Sequence, residues 1–126
     1  MQKTVLNENN LEHLNRQHAH LFSALGKLRE VSFDKDKAIK ALENLDSLAK
    51  EHFADEERLL KESNANVGPH AAGHQEFLKM VTAYRSALIS QGGTSPVLVD
   101  YMSTWLSTHI KIFDYRAFRD IDIHSN

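Results

Sequence analysis

Histidine is the unusual residue of this chain, with 8 in 126 positions. Five of them fall where a helical heptad reserves apolar side chains. Leu11, Leu14, His18, Leu21, Leu25 and Leu28 form one seam, and Leu42, Leu45, Ala49, His52, Glu56 and Leu59 form a second. A third runs through His70, His74, Phe77, Val81, Tyr84 and Leu88, and a fourth through Leu98, Met102, Trp105, His109 and Ile112. Alternating steps of three and four are the signature of one helix face. Burying ionisable groups on such faces without partners is strongly unfavourable, so these histidines must have partners. Spacing alone is weak support, because this histidine content produces about half a His-x-x-x-His by chance. Depth adds the missing constraint. At about 1.5 Å of rise per residue, His18, His52, Glu56, His70, His74, His109 and Asp114 fall in one layer, roughly 20 to 30 Å from the hairpin tips near Ser32 and Gly92.

Five imidazoles and two carboxylates exceed what one ion takes, since tetrahedral zinc needs four ligands and an octahedral ion six. They suit two metals, because a carboxylate can give one oxygen to each. Three nitrogens, two bridging oxygens and a shared oxygen complete one coordination sphere. Two nitrogens with the same three oxygens make five and leave an open position on the second ion. Nitrogen and oxygen ligands around a redox-capable pair favour iron over manganese or zinc. Asp114 follows His109 by five residues, about 140° around a regular helix, so either its carboxylate reaches sideways or the helix widens locally in π fashion. The other histidines lie off the layer. His20 is about 200° around from His18, His13 is off its seam and His124 is in the tail, so all three are expected in solvent.

The elements that must carry this layer are four helices. Punctuation falls at Ser32–Asp34, Ser63–Pro69 and Gln91–Pro96, with Asp34 or Asp36 able to cap the second helix and Ser95 the fourth. The expected fold is all-α: an up-down-up-down four-helix bundle with a short N-terminal arm and a dinuclear metal site in its core. One domain spans 1–126, with 1–9 as the arm, 10–118 as the bundle and 119–126 as a tail or linker. Fifteen Lys and Arg against 17 Asp and Glu leave a net charge of −2, with no basic cluster for nucleic acid. Zero Cys excludes disulfides, zinc ribbons, iron-sulfur clusters and cysteine nucleophiles. No apolar run reaches membrane length and Met1–Asn10 has no apolar signal core, so no membrane is expected and the cytoplasm is the default location.

The segments Gln17-His18-Ala19-His20-Leu21-Phe22, His52-Phe53-Ala54-Asp55-Glu56-Glu57, His70-Ala71-Ala72-Gly73-His74 with Phe77, and Trp105 to His109-Ile110 ending at Asp114 resemble the hemerythrin family, specifically its bacterial members. The likeness covers about Leu11 to Phe118. It implies two iron ions with an oxo or hydroxo bridge. His70, His74 and His109 would hold the six-coordinate iron, His18 and His52 the open one, with Glu56 and Asp114 bridging. Trp105, Leu106 and Ile110 would be walls of the oxygen pocket. Two features depart from the bacterial pattern: the arm lacks Trp, and the pair before the first ligand reads Leu14-Asn15. Dioxygen is the implied ligand. The resulting reading is an oxygen or redox sensor module with a signalling output domain in the same chain or a partner. A free oxygen carrier or storage protein is the alternative. An enzyme acting on peroxide, nitric oxide or ferrous iron is a second alternative, although no Glu-x-x-His pair of ferritin-like oxidases occurs. A non-enzymatic role is expected.

Overall fold

The computed structural model describes residues 8–63, 66–91 and 97–114, with the side chains of 8, 9, 11 and 112–114 left out. Among the described residues there are four helices: α1 (Glu8–Glu30), α2 (Lys35–Glu62), α3 (Gly68–Gln91) and α4 (Val97–Thr108). A π-helical segment, His109–Asp114, continues α4. Each helix packs on its two neighbours in chain order, and α4 closes the ring on α1. The end of α1 meets the start of α4 through Arg29, which donates to both oxygens of Asp100 at 3.0 and 3.3 Å. Together with the short α1–α2 and α2–α3 connections, that contact gives the expected up-down-up-down bundle.

Local chemistry explains the boundaries. Ser32, buried in the first turn, bonds the Arg29 carbonyl through its hydroxyl at 3.0 Å. Asp34 caps α2 in an extended conformation and accepts from the Lys37 N–H at 3.1 Å. Of the two expected caps for this helix it is the one used, because a cap carboxylate must reach the N–H of the second or third helical residue. Helix α3 starts earlier than the punctuation implies. Asn66 Oδ1 accepts from the Gly68 N–H at 3.1 Å, and Pro69 lies in the first turn, where its missing N–H costs no helical bond. Helix α1 begins at Glu8, so the last two residues assigned to the arm are helical. The rest of the arm, the Ser95 cap and the tail lie outside the described residues.

The core is apolar on both sides of the histidine layer. Leu21, Leu25, Leu28, Leu42, Leu45, Val81, Leu88 and Met102 fill the half toward the first turn. Leu14, Leu59 and Leu60 are buried at or beyond the layer. The first three seams are buried as expected wherever side chains are described, apart from the partly exposed His18. The fourth is rotated. Helix α4 buries Val99, Met102 and Leu106 and the segment that continues it buries His109, whereas Leu98 is 41% exposed and Trp105 is only partly covered. Residues 98-102-105-109 and 99-102-106-109 both step by threes and fours, so period alone cannot choose between them. Helices α1 and α3 make the choice, by covering the second set. No helix among the described residues is long and apolar enough to cross a membrane.

Candidate metal centre

Three helix ends and the middle of α1 bring the site together. Helix α2 supplies His52 and Glu56 one turn apart, α3 supplies His70 and His74 one turn apart, the π-helical segment that continues α4 opens on His109, and α1 contributes His18. Two groups of side chains each place one ligand atom per residue within 4.8 Å of all the others: Glu56, His70, His74 and His109, and His18, His52 and Glu56. Glu56 belongs to both groups and is fully buried. His74 Nε2 lies 2.9 Å from Glu56 Oε1, His109 Nε2 3.6 Å and His70 Nε2 3.7 Å from the same oxygen. Glu56 Oε2 faces the other way, 3.5 Å from His52 Nε2 and 3.9 Å from His18 Nε2. A single carboxylate thus presents one oxygen to three imidazoles and the other to two.

These residues fit a pair of metal ions. Ligand atoms about 2.1 Å from a common centre lie roughly 3.0 to 3.5 Å apart for angles between octahedral and tetrahedral. The His74 and His109 Nε2 atoms are 3.1 Å apart. His52 Nε2 and Glu56 Oε2 are buried with no hydrogen-bond partner, which a cation between them would satisfy. Burial alone would push the Glu56 carboxyl up, but the imidazoles of His109, His18, His52 and His74 outweigh it and hold the group well below the ordinary carboxylate range. An ionised carboxylate shared by two imidazole groups is chemically able to bridge two divalent or trivalent cations.

Two imidazole rings of the cluster are held from behind. His74 Nδ1 donates to Glu57 Oε2 at 2.6 Å, and its ring stacks on Phe53 at 4.0 Å. His52 Nδ1 donates to Gln17 Oε1 at 2.8 Å, and the Gln17 amide donates to Asp55 Oδ2 at 2.9 Å. Burial raises the Asp55 carboxyl, while hydrogen bonds from His13 and Gln17 and the nearby charges of Arg58 and His13 bring it below its ordinary value. Gln17, Asp55 and Glu57 lie off the heptad seams, so periodicity does not single them out. Their signal was available: acidic or amide residues directly beside ligands in sequence, one helical step toward the next helix.

Of the seven expected ligands, six converge. The Asp114 side chain lies outside the described residues, but its backbone belongs to the π-helical segment. That segment takes the second of the two geometries expected for a five-residue spacing, since bonds between residues five apart bring 109 and 114 onto one side. Trp105, Leu106 and Ile110 lie in three different settings. Leu106 is fully buried in the core. Ile110 is partly buried against that core. Trp105 stacks on His109 at 4.7 Å and donates its indole N–H to Glu76 at 3.3 Å. It lines a surface pocket of about 250 Å³ with Pro69, Gly73, Tyr101 and His109, beside the three-histidine group. His20 is exposed as expected. His13 is half exposed but bonded to Asp55 Oδ2 at 3.1 Å, so it is less independent of the site than its position off the seam implied. His124 lies outside the described residues.

A family profile described as Hemerythrin HHE cation binding domain matches residues 9–119. Myohemerythrin of Sipunculus nudus is 33% identical over 84 residues, 66% of this chain and 64% of that protein. The matched chain therefore spans just under two thirds of that relative. Myohemerythrin of Riftia pachyptila is 29% identical over 106 residues, 83% of this chain and 80% of that protein. No solved structure matches significantly. A four-helix bundle with a buried histidine and glutamate cluster, matched by that profile over nearly its whole length, places the chain in the hemerythrin family.

Proposed function

We propose that this chain is a non-haem di-iron domain that binds dioxygen, and that it reports oxygen or redox state through the end of its fourth helix. The observation that carries the first part is the sharing of Glu56 between a three-histidine and a two-histidine group. Iron bound there would supply the redox chemistry, since a ferrous pair can lend electrons to dioxygen and recover them. The chain's own residues do the rest. Glu56, kept ionised, ties the two positions together. Phe53, Phe77 and Leu106 keep the layer dry on its core side, which limits access of protons and reductant. His18, with 14% of its side chain exposed, leaves the two-histidine side the more open one. The test is metal analysis of protein made with abundant iron, then anaerobic reduction and an oxygen titration followed by optical spectra. Two irons per chain and a reversible oxygen-dependent spectrum are expected; a single zinc would overturn the reading.

The sensory part is supported by the junction at His109. This ligand is the first residue of the π-helical segment. Such π segments are rare and occur frequently at functional sites, and a change in ligation at the first residue of this one would act on the residues that follow. Amide exchange of the reduced and oxidised forms should differ at residues 109–114. Equal exchange, with an oxygenated form stable for hours, would favour a carrier. An ion held by His18, His52 and Glu56 would have fewer protein ligands than its neighbour and so would have room for peroxide or nitric oxide chemistry, and turnover assays on the iron-loaded protein distinguish that role from binding.

A further inference from the structure

Two ligands of the candidate centre are backed by opposite chemistry. His74 turns Nδ1 onto the Glu57 carboxylate at 2.6 Å. His52 turns Nδ1 onto the side-chain amide of Gln17 at 2.8 Å. The orientation of that amide follows from its other neighbour. Asp55 Oδ2, 2.9 Å from Gln17 Nε2, can only accept, so Gln17 must offer its NH2 to Asp55 and its carbonyl to His52. A carbonyl can only accept, so His52 carries its proton on Nδ1 and keeps the Nε2 lone pair for the space beside Glu56 Oε2, 3.5 Å away. A full negative charge therefore stands directly behind His74. Behind His52 the charge is one residue further out, with a neutral amide between. A carboxylate partner raises the basicity of a ligating imidazole, and a neutral partner does so less.

Resting on the dinuclear reading above, we propose that Gln17, held by Asp55, and Glu57 are positioning residues that widen the inequality between a position with three imidazoles and one with two. Glu57 strengthens the position built on His70, His74 and His109. Gln17 orients His52 but leaves it a weaker donor, so the position built on His18 and His52 loads second and exchanges first. Its location suits exchange, because Gln17 also lines a surface pocket of about 250 Å³ with His13, Arg16, His20, Leu48 and Glu51. Ions or small ligands reaching the weaker position from solvent would pass on that side of the bundle.

The decisive variant is the double exchange Gln17→Glu with Asp55→Asn. It moves the carboxylate to the position directly behind His52, keeps a donor and an acceptor at the contact of residue 17 with His52 and at its contact with residue 55, and leaves the net charge unchanged; at the His13 contact the amide introduced at 55 donates to Nε2 in place of accepting from it. Anaerobic calorimetric titration of the metal-free chain with Co(II) should show two phases in the parent protein. The double exchange should tighten the second phase about tenfold, and Gln17→Ala should weaken it about 10- to 100-fold, with the first phase unmoved. Glu57→Gln should weaken the first phase by a similar factor. Nitrogen NMR of the metal-free protein supplies a readout independent of affinity: His52 should carry its proton on Nδ1 in the parent and become a tautomer mixture in Gln17→Ala. Two bound ions with a second phase unmoved by either Gln17 variant, or a His52 protonated on Nε2 in the parent, would overturn this proposal alone. Uptake of a single ion would overturn it together with the dinuclear reading.

Discussion

Glu56 is the residue on which both halves of the centre depend. It is fully buried, it is one helical turn from His52, and each of its oxygens faces a different set of imidazoles. An isolated buried carboxylate would be protonated; this one is held ionised by the rings around it. Removing it takes away the shared ligand and leaves those rings with no anion between them. Glu56→Ala should therefore lose both metals, not one, with iron per chain falling toward zero by elemental analysis. His20→Ala is the control. It sits on the exposed side of α1, and its variant should keep the parent metal content; equal loss would show that burial in the layer is not what selects the ligands.

The helices that carry these residues have ordinary determinants that can be altered without touching the site. Gly26 lies on the exposed face of α1, and a Cβ added there meets nothing within 4 Å. Gly26→Ala should raise stability by about 0.5 to 1 kcal/mol through reduced chain entropy in the unfolded state. Asp34 acts in the opposite sense. Its carboxylate caps α2 through the Lys37 N–H, and Asp34→Ala should cost about 1 kcal/mol. Chemical denaturation of the metal-free protein measures both. Both sites are near the first turn, away from the layer, so metal content should stay at the parent value in each variant.

At the scale of the whole molecule, the bundle consists of an apolar body and one polar layer that fits a bound cation. The apolar half built from Leu21, Leu25, Leu42, Leu45 and Leu88 does not depend on that cation. The metal-free chain should therefore keep its helical circular dichroism but lose thermal stability. A ligand present at about a thousand times its dissociation constant adds roughly 4 kcal/mol to a native state that alone binds it. For a domain of this size that corresponds to about 10 to 20 °C in melting temperature. Melting curves before and after chelation test this directly: unchanged midpoints would mean that the layer is satisfied by its own hydrogen bonds, and loss of helix on chelation would mean that the apolar half cannot stand alone.

Much of the centre was legible in the chain because a helix converts spacing into direction and depth. His18, His52, Glu56, His70, His74 and His109 occupy heptad positions where leucine is the rule. The rise per residue then places them in one layer before any contact is known. The same arithmetic posed the five-residue problem at Asp114 and named the π widening as one of its two solutions. Three features lay beyond it. The face buried by α4 is Val99, Met102 and Leu106 and not Leu98 and Trp105, a choice between two equally periodic stripes. The partners behind His52 and His74 come from α1 and α2 respectively, at sequence separations of 35 and 17. His13 reaches Asp55 across the same α1–α2 groove. All three depend on how one helix is rotated and raised against another. Periodicity in a single helix specifies which residues share a face; only the packing of neighbouring faces decides which face is covered and which side chains meet across it.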